Sequence, residues 1–189
     1  SVMQTGSIAI FQFGFNLQAV ALGVIGTSYA TAAFPVLADH FARGDRASFT
    51  AEVAKTVRHI LFWSLPLSAL AIALRDDLIA LFLGSGRFTE DDVHVTAAVF
   101  MLFSISLSAQ GLLLLFTRAY YAAGETRKPV IANVASMIFV SILAVVLVRL
   151  SSIERDLFRL FAEAFGVFDV ERARVLVLPL AFTVGSFFV

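Results

Sequence analysis

VTAAVFMLFSISLSAQGLLLLFT, residues Val95–Thr117, is a run of 23 residues without a formal charge. An α-helix rises about 1.5 Å per residue, so such a run covers the roughly 30 Å of hydrocarbon in a bilayer. In lipid every backbone N–H and C=O must be satisfied within the protein, and a helix does this for a single stretch of chain. The run is announced by Phe88-Thr89-Glu90-Asp91-Asp92, where Thr89 can cap the first turn and the acids complement its positive end. It closes at Arg118 beside Tyr120 and Tyr121, where an arginine that snorkels among interfacial aromatics is expected.

Working outward, the same reading divides the rest of the chain. No Asp, Glu, Lys or Arg occurs between Ser1 and Ala38, which predicts a first helix over 8–37. A second runs from Ile60 to Leu83, interrupted by Arg75, Asp76 and Asp77, with Leu78 to Leu83 as a short continuation. Val130 to Val148 is the fourth. A fifth opens near Val175 and reaches Val189 after 15 residues, short for a span, so the chain reads as a piece of a longer one. Two connections carry amphipathic patterns that suit helices lying in the interface. In 39–59, Phe49, Val53 and Val57 recur near helical spacing; in 150–174, Leu157, Leu160, Phe161, Ala164 and Phe165 share one face of Glu154–Phe168.

Composition agrees. Of 189 residues 59% are hydrophobic and 15% charged, with 20 Phe, whereas a globular chain carries about 25% charged residues. The expected fold class is all-α, a polytopic membrane helix bundle with about five transmembrane helices and interfacial helices, in one membrane domain over 1–189. Basic and acidic residues number 14 each, which gives no argument for a nucleic-acid partner. Without cysteine there is no disulfide framework and no thiolate metal site. No basic segment precedes the first apolar stretch, so it does not read as a signal peptide. His40, His59 and His94 are dispersed and lack metal-ligand spacing, and Gly84-Ser85-Gly86 lacks the lysine and hydroxyl of a nucleotide loop. Neither a metal, a cofactor nor an enzyme active site is expected.

Orientation follows from basic residues. The first connection has Arg43, Arg46, Lys55 and Arg58, and the third boundary Arg118, Arg127 and Lys128, on one side by helix parity. The second has Arg75 and Arg87 among five acids. The first and third connections are therefore expected on the cytoplasmic side, although Arg149, Arg155, Arg159, Arg172 and Arg174 of the fourth then face outward.

Polar groups within apolar helices are the candidate functional residues. Gln12, Asn16 and Gln18 in the first helix, and Gln110 with Ser104, Ser106 and Ser108 in the third, can line a substrate path or hydrogen-bond between helices. Gly23 and Gly26, with Ala30, leave a groove for close packing or a bend. Pro35 terminates or kinks the first helix, and Pro66 breaks the hydrogen-bond ladder of the second. Arg118 can also meet a phosphate at the membrane mouth. Glu125 can pair with Arg127 or Lys128 across the turn, and Pro129 opens the fourth helix where its missing N–H is harmless.

Three stretches in order carry a resemblance. Gly23-Val24-Ile25-Gly26-Thr27 through Phe34-Pro35-Val36-Leu37-Ala38, Leu78 to Asp91, and Arg118-Ala119-Tyr120-Tyr121-Ala122-Ala123-Gly124-Glu125-Thr126-Arg127-Lys128-Pro129-Val130 resemble the bacterial lipid II flippases, the MurJ/MviN family, over roughly residues 20 to 145. The turn motif rests on Tyr121, Glu125, Thr126 and Pro129. The resemblance implies a transporter of about fourteen helices in two lobes, of which this chain is part of the second. It implies residence in the bacterial inner membrane and translocation of undecaprenyl-pyrophosphate-linked peptidoglycan precursor, with no bond made or broken. Implied partners are that lipid-linked saccharide, membrane lipid, the remaining helices and other cell-envelope synthesis proteins. The family usually has an arginine at the point of Asn16 and a proline at Ala21, and this chain departs at both. Those departures leave two further readings open: a flippase-fold scaffold or accessory protein without transport, and an exporter of another lipid-linked saccharide.

Overall fold

The computed structural model describes residues 7–83, 90–153 and 174–187. The first crossing is one rod over Ile8–Ala42. It consists of α1 (Ser7–Leu22), a π-helical segment (Gly23–Thr27) and α2 (Ser28–Ala42). Then come α3 (Arg46–Ala73), α4 (Arg75–Leu83), α5 (Glu90–Ala122) and α6 (Arg127–Ile153). A 3-10 turn at Arg174–Leu176 leads into α7 (Val177–Phe187).

The protein is an all-α polytopic membrane bundle. Among the described residues four helices are long and apolar enough to cross a bilayer: Ile8–Ala42, Arg46–Ala73, Asp92–Ala122 and Arg127–Leu150. The fifth expected span is represented by the shorter apolar α7. The spans are not equal in burial. In α5, 61% of the most apolar stretch is buried by other helices; in α6 none of it is.

Two turns of the same design reverse the chain at one end of the bundle. After α2, Gly44 takes φ 72°, its N–H donates to the Phe41 carbonyl and the Asp45 N–H reaches the His40 carbonyl. After α5, Gly124 takes φ 73°, its N–H donates to Tyr121 and the Glu125 N–H to Tyr120. This pair of bonds satisfies carbonyls that a helix end leaves open, and the left-handed position favours glycine. Asp45 then caps α3 by accepting from the Ser48 N–H at 3.0 Å. Hydrogen bonding from Ser48 holds the Asp45 carboxyl below its ordinary value.

The core is built on α5. Toward its start, Val99, Leu102 and Phe103 pack with Ile10, Val175 and Leu176. The Phe103 ring meets Phe11, Phe15 and Phe182 edge-on with centroids 5.4, 5.5 and 5.6 Å away, a geometry aromatic quadrupoles favour. Toward its end, Leu115, Ala119 and Ala122 pack with Ala30, Ala33, Leu37 and Ile60. Between these clusters the π-helical segment touches α5 through glycine. A Cβ on Gly26 would stand 3.1 Å from the Gly111 Cα.

Three boundaries differ from the sequence reading. The first helix continues through Pro35 to Ala42, and α3 passes Pro66 unbroken. Proline removes one ladder bond, which a span tolerates where surrounding helices support it. The expected interfacial helix within 39–59 is the first part of α3, joined to the second span, because nothing between the Asp45 cap and Ala73 stops the helix. The cap residue Thr89, the loop Gly84-Ser85-Gly86 and most of 150–174 lie outside the described residues.

Candidate functional site

Helix geometry sorts the polar residues of α1. A residue step is about 100°, so Gln12 and Asn16, four apart, share a face, while Gln18 lies on another. Both Gln12 and Asn16 are exposed, and the Gln12 Nε2 donates to the Asn16 Oδ1 at 3.4 Å. At the end of the π-helical segment Thr27, and beyond it Ser28 and Thr31, are exposed too, with the Ser28 hydroxyl donating to the Gly23 carbonyl at 3.3 Å. The first span thus carries exposed, uncharged polar groups among exposed apolar side chains such as Phe13, Val20 and Val24. Gln18 is 1% exposed, in the bundle interior.

Gln110 is also interior. Its Nε2 donates to the Ser106 hydroxyl at 2.7 Å, which donates to the Phe103 carbonyl at 2.8 Å. This relay stays within α5, a packing role for those groups. Gln110 nevertheless borders a cavity of about 340 Å³ shared with Asn133, Ser136 and Phe182.

Arg118 is exposed near the end of α5, its guanidinium carbon 6.0 Å from the centroid of the Phe34 ring. Phe34 is eighteen residues beyond Asn16, about 27 Å along a rod rising ~1.5 Å per residue. Arg118 and Asn16 are therefore not neighbours. The turn below brings its motif together. The Glu125 carboxylate lies 3.8 Å from the Lys128 Nζ, and that ammonium is 6.0 Å from the centroid of the Tyr120 ring. Tyr121 and Thr126 are exposed, and Pro129 is buried in the first turn of α6, where no ladder donor is required.

Gly23 and Gly26 separate in the same way. A Cβ on Gly23 would meet nothing within 4 Å, whereas Gly26 is pressed against α5. Packing is thus the property of Gly26. Sequence reasoning named Ser108 as a possible interhelical contact but missed its partner Ser64, and missed Thr183. The Ser64 and Ser108 hydroxyls are 2.8 Å apart between α3 and α5, and the Thr183 hydroxyl donates to the Leu102 carbonyl at 2.8 Å, tying α7 to α5. Small hydroxyl residues in apolar runs are the available signal, but their partners depend on helix register. His94 Nδ1 is 3.3 Å from the Asp76 carboxylate. Among the described residues no group of three His, Cys, Asp or Glu gathers where a metal could be held.

The family model described as "Lipid II flippase MurJ" matches residues 1–156. The "Probable lipid II flippase MurJ" of Thermotoga maritima is 31% identical over 133 residues, covering 70% of this chain and 27% of that protein. The one from Borreliella burgdorferi is 26% identical over 129 residues, covering 68% of this chain and 26% of its own length. A solved structure described as "Lipid II flippase MurJ, inward closed conformation" superimposes with a TM-score of 0.68 at 22% identity. It covers 98% of this chain and 35% of that one. The chain spans roughly a quarter of the length of these relatives and about a third of the solved structure.

Proposed function

The chain belongs to the lipid II flippase MurJ family, and on that premise we propose that it is part of a transporter carrying an undecaprenyl-pyrophosphate-linked peptidoglycan precursor across the bacterial cytoplasmic membrane. The observation that supports this reading is the outer face of the first span. Gln12, Asn16, Thr27, Ser28 and Thr31 are exposed on a rod otherwise fit for hydrocarbon. Polar groups at membrane depth usually face a bundle interior or a water-filled cavity, so this face is assigned to the translocation path between lobes. It offers neutral donors and acceptors suited to sugar and amide groups. Anion attraction is assigned to basic groups at the end carrying Arg43, Arg46, Arg118, Arg127 and Lys128, which faces the cytoplasm in this reading.

The division of labour is testable in cells depleted of their own flippase and supplied with full-length variants. A charge-assisted hydrogen bond contributes about 1.5–3 kcal/mol and a neutral one about 0.5–1.5. Arg118→Gln should therefore lower leaflet-resolved accumulation of labelled precursor by more than Asn16→Ala, at equal membrane abundance. Unchanged transport in Arg118→Gln would return that side chain to snorkelling over Phe34. The neutral residue at Asn16, where the family usually has arginine, favours a second reading, a scaffold of flippase fold. Failure of the unmodified protein to move any precursor would select it.

A further inference from the structure

The cavity that Gln110 borders is a groove between helices. Its floor is α5, through Gln110, Leu113 and Leu114, and one wall is α6, through Asn133 and Ser136. Asn133 is exposed and Ser136 half-buried. They are three residues apart, so they share one face of α6, about 9 and 13 Å along that helix from Arg127. Neither side chain makes a hydrogen bond among the described residues. Ser141, by contrast, closes on the Met137 carbonyl of its own helix. Polar groups at membrane depth usually face a bundle interior or a water-filled cavity, and these two border the groove.

Register supplies the opposite wall, which Leu22 of the first span begins. That span runs parallel to α5, since Gly14 meets Val99 and Gly26 meets Gly111, twelve residues on along both. Thr27 and Thr31 therefore stand at the depth of Leu112 and Phe116, level with the floor of the groove. The Tyr29 ring lies 5.7 Å from that of His59 on α3. Phe34 turns to the other side of the rod, with the Arg118 guanidinium carbon 6.0 Å from its centroid. Thr27 and Thr31, seven and three residues before Phe34, share its side and are exposed. On α5, Gln110, Leu114 and Arg118 form one row at steps of four. The first two lie in the groove, and Arg118 stands one turn beyond, at its cytoplasmic mouth in the orientation proposed above.

We propose that this groove receives the uncharged part of the transported head group, its sugar hydroxyls and amides, and that Asn133 and Ser136 of α6 are specificity-determining contacts there. The assignment rests on the transport reading above and gives it a site. The Asn133 carboxamide both donates and accepts, and the Ser136 hydroxyl does the same. Gln110 spends its amide nitrogen on Ser106 at 2.7 Å and keeps its carbonyl oxygen to accept. Thr27 and Thr31 offer hydroxyls from the facing side. Among the described residues that line the groove none is charged, and the cation Arg118 stands at the mouth. That arrangement complements a ligand whose pyrophosphate lies at one end and whose hydroxyls and amides lie at the other. The rest of the lining is apolar, as in most ligand sites, where a few polar groups fix orientation.

The test uses the full-length protein in lipid nanodiscs. It compares affinity for the undecaprenyl-pyrophosphate-linked precursor with affinity for undecaprenyl pyrophosphate, which has the same lipid and pyrophosphate without the saccharide. The double variant Asn133→Leu, Ser136→Ala is expected to lose roughly tenfold in affinity for the precursor, through two neutral hydrogen bonds, and to keep its affinity for undecaprenyl pyrophosphate. Ser136→Ala alone is expected to lose about threefold, and Ser141→Ala nothing. Arg118→Gln is expected to weaken both ligands together. Unchanged precursor affinity in the double variant, with Arg118→Gln still weakening both, would overturn the groove assignment and leave the transport reading standing. Equal loss of both ligands in the double variant would overturn it too, since helix packing would then be the cause. If that variant does not fold, Ser136→Ala alone decides. An unmodified protein that binds neither ligand would overturn the transport reading itself and this inference with it.

Discussion

Helices α5 and α6 follow each other through a tight turn, are both long enough to span, and are both apolar along most of their length, yet α5 is the hub of the bundle and α6 its rim. The difference lies in small and hydroxyl-bearing residues. Lipid tails are as apolar as leucine, so hydrophobicity gives two membrane helices no reason to associate; close packing and interhelical hydrogen bonds do. In α5, Gly111 admits the backbone of Gly26, Ser108 bonds Ser64, and the Leu102 carbonyl accepts from Thr183. In α6 the large residues Ile131, Met137, Ile138 and Ile142 are exposed, and its Ser141 hydroxyl donates back to its own helix at Met137. Hydropathy thus places a helix in the membrane, and small polar residues decide where in the bundle it goes.

That contrast breaks most readily at its largest side chain. Phe103→Ala should cost about 3 kcal/mol, because the ring is fully buried among three others and a void replaces it. Ile138→Ala, at a side chain that the helices of this chain leave uncovered, should cost less, staying within about 0.5 kcal/mol where only lipid surrounds it. Reversible unfolding of the full-length protein in bilayer-like micelles measures both, and equal losses would remove the distinction between hub and rim. Next in size, Gly26→Ala should cost about 1–3 kcal/mol, since its methyl group meets the Gly111 backbone and the helices must separate. Gly23→Ala, in open space, should be neutral or gain up to about 1 kcal/mol from helix propensity. If the two alanines behave alike under the same titration, the glycine contact is not holding the π-helical segment to α5. The smallest effect sharpens the comparison further. Ser64→Ala should cost about 0.6 kcal/mol, typical of an interhelical hydroxyl bond in lipid. A coupling near zero in a double-mutant cycle with Ser108→Ala would leave packing alone as the reason α3 joins the hub.

The spans were legible because charge-free runs of the right length have few other meanings, and Arg75-Asp76-Asp77 marked the break between α3 and α4 to within a residue or two. The extent of α3 was not. Arg46 to His59 is charged enough to read as interfacial, but helix propagation from a capped start needs no apolar face. Among the candidate residues, Gln18 was separable from Asn16 by angle alone, since two residues turn a helix by about 200°. The distance of Arg118 from Asn16 needed the partner Phe34, and the pairing of Ser64 with Ser108 needed the register of α3 on α5. Neither is carried by local sequence.

The π-helical segment at Gly23–Thr27 has a consequence of phase. Its wider turn takes up an additional residue, so the faces of α1 and α2 are counted from different angular origins on what is otherwise one rod. Gln12 and Asn16 keep time with the first counting, and Ala30, Ala33 and Leu37 with the second. An insertion or deletion of one residue is expected to be accommodated here by reshaping a single turn, while the neighbours of Phe103 at one end and Leu115 at the other stay matched. A chain shortened by one residue within Gly23–Thr27 is accordingly expected to fold with both clusters intact, whereas the same deletion in the middle of α5 would rotate one half of the hub against the other.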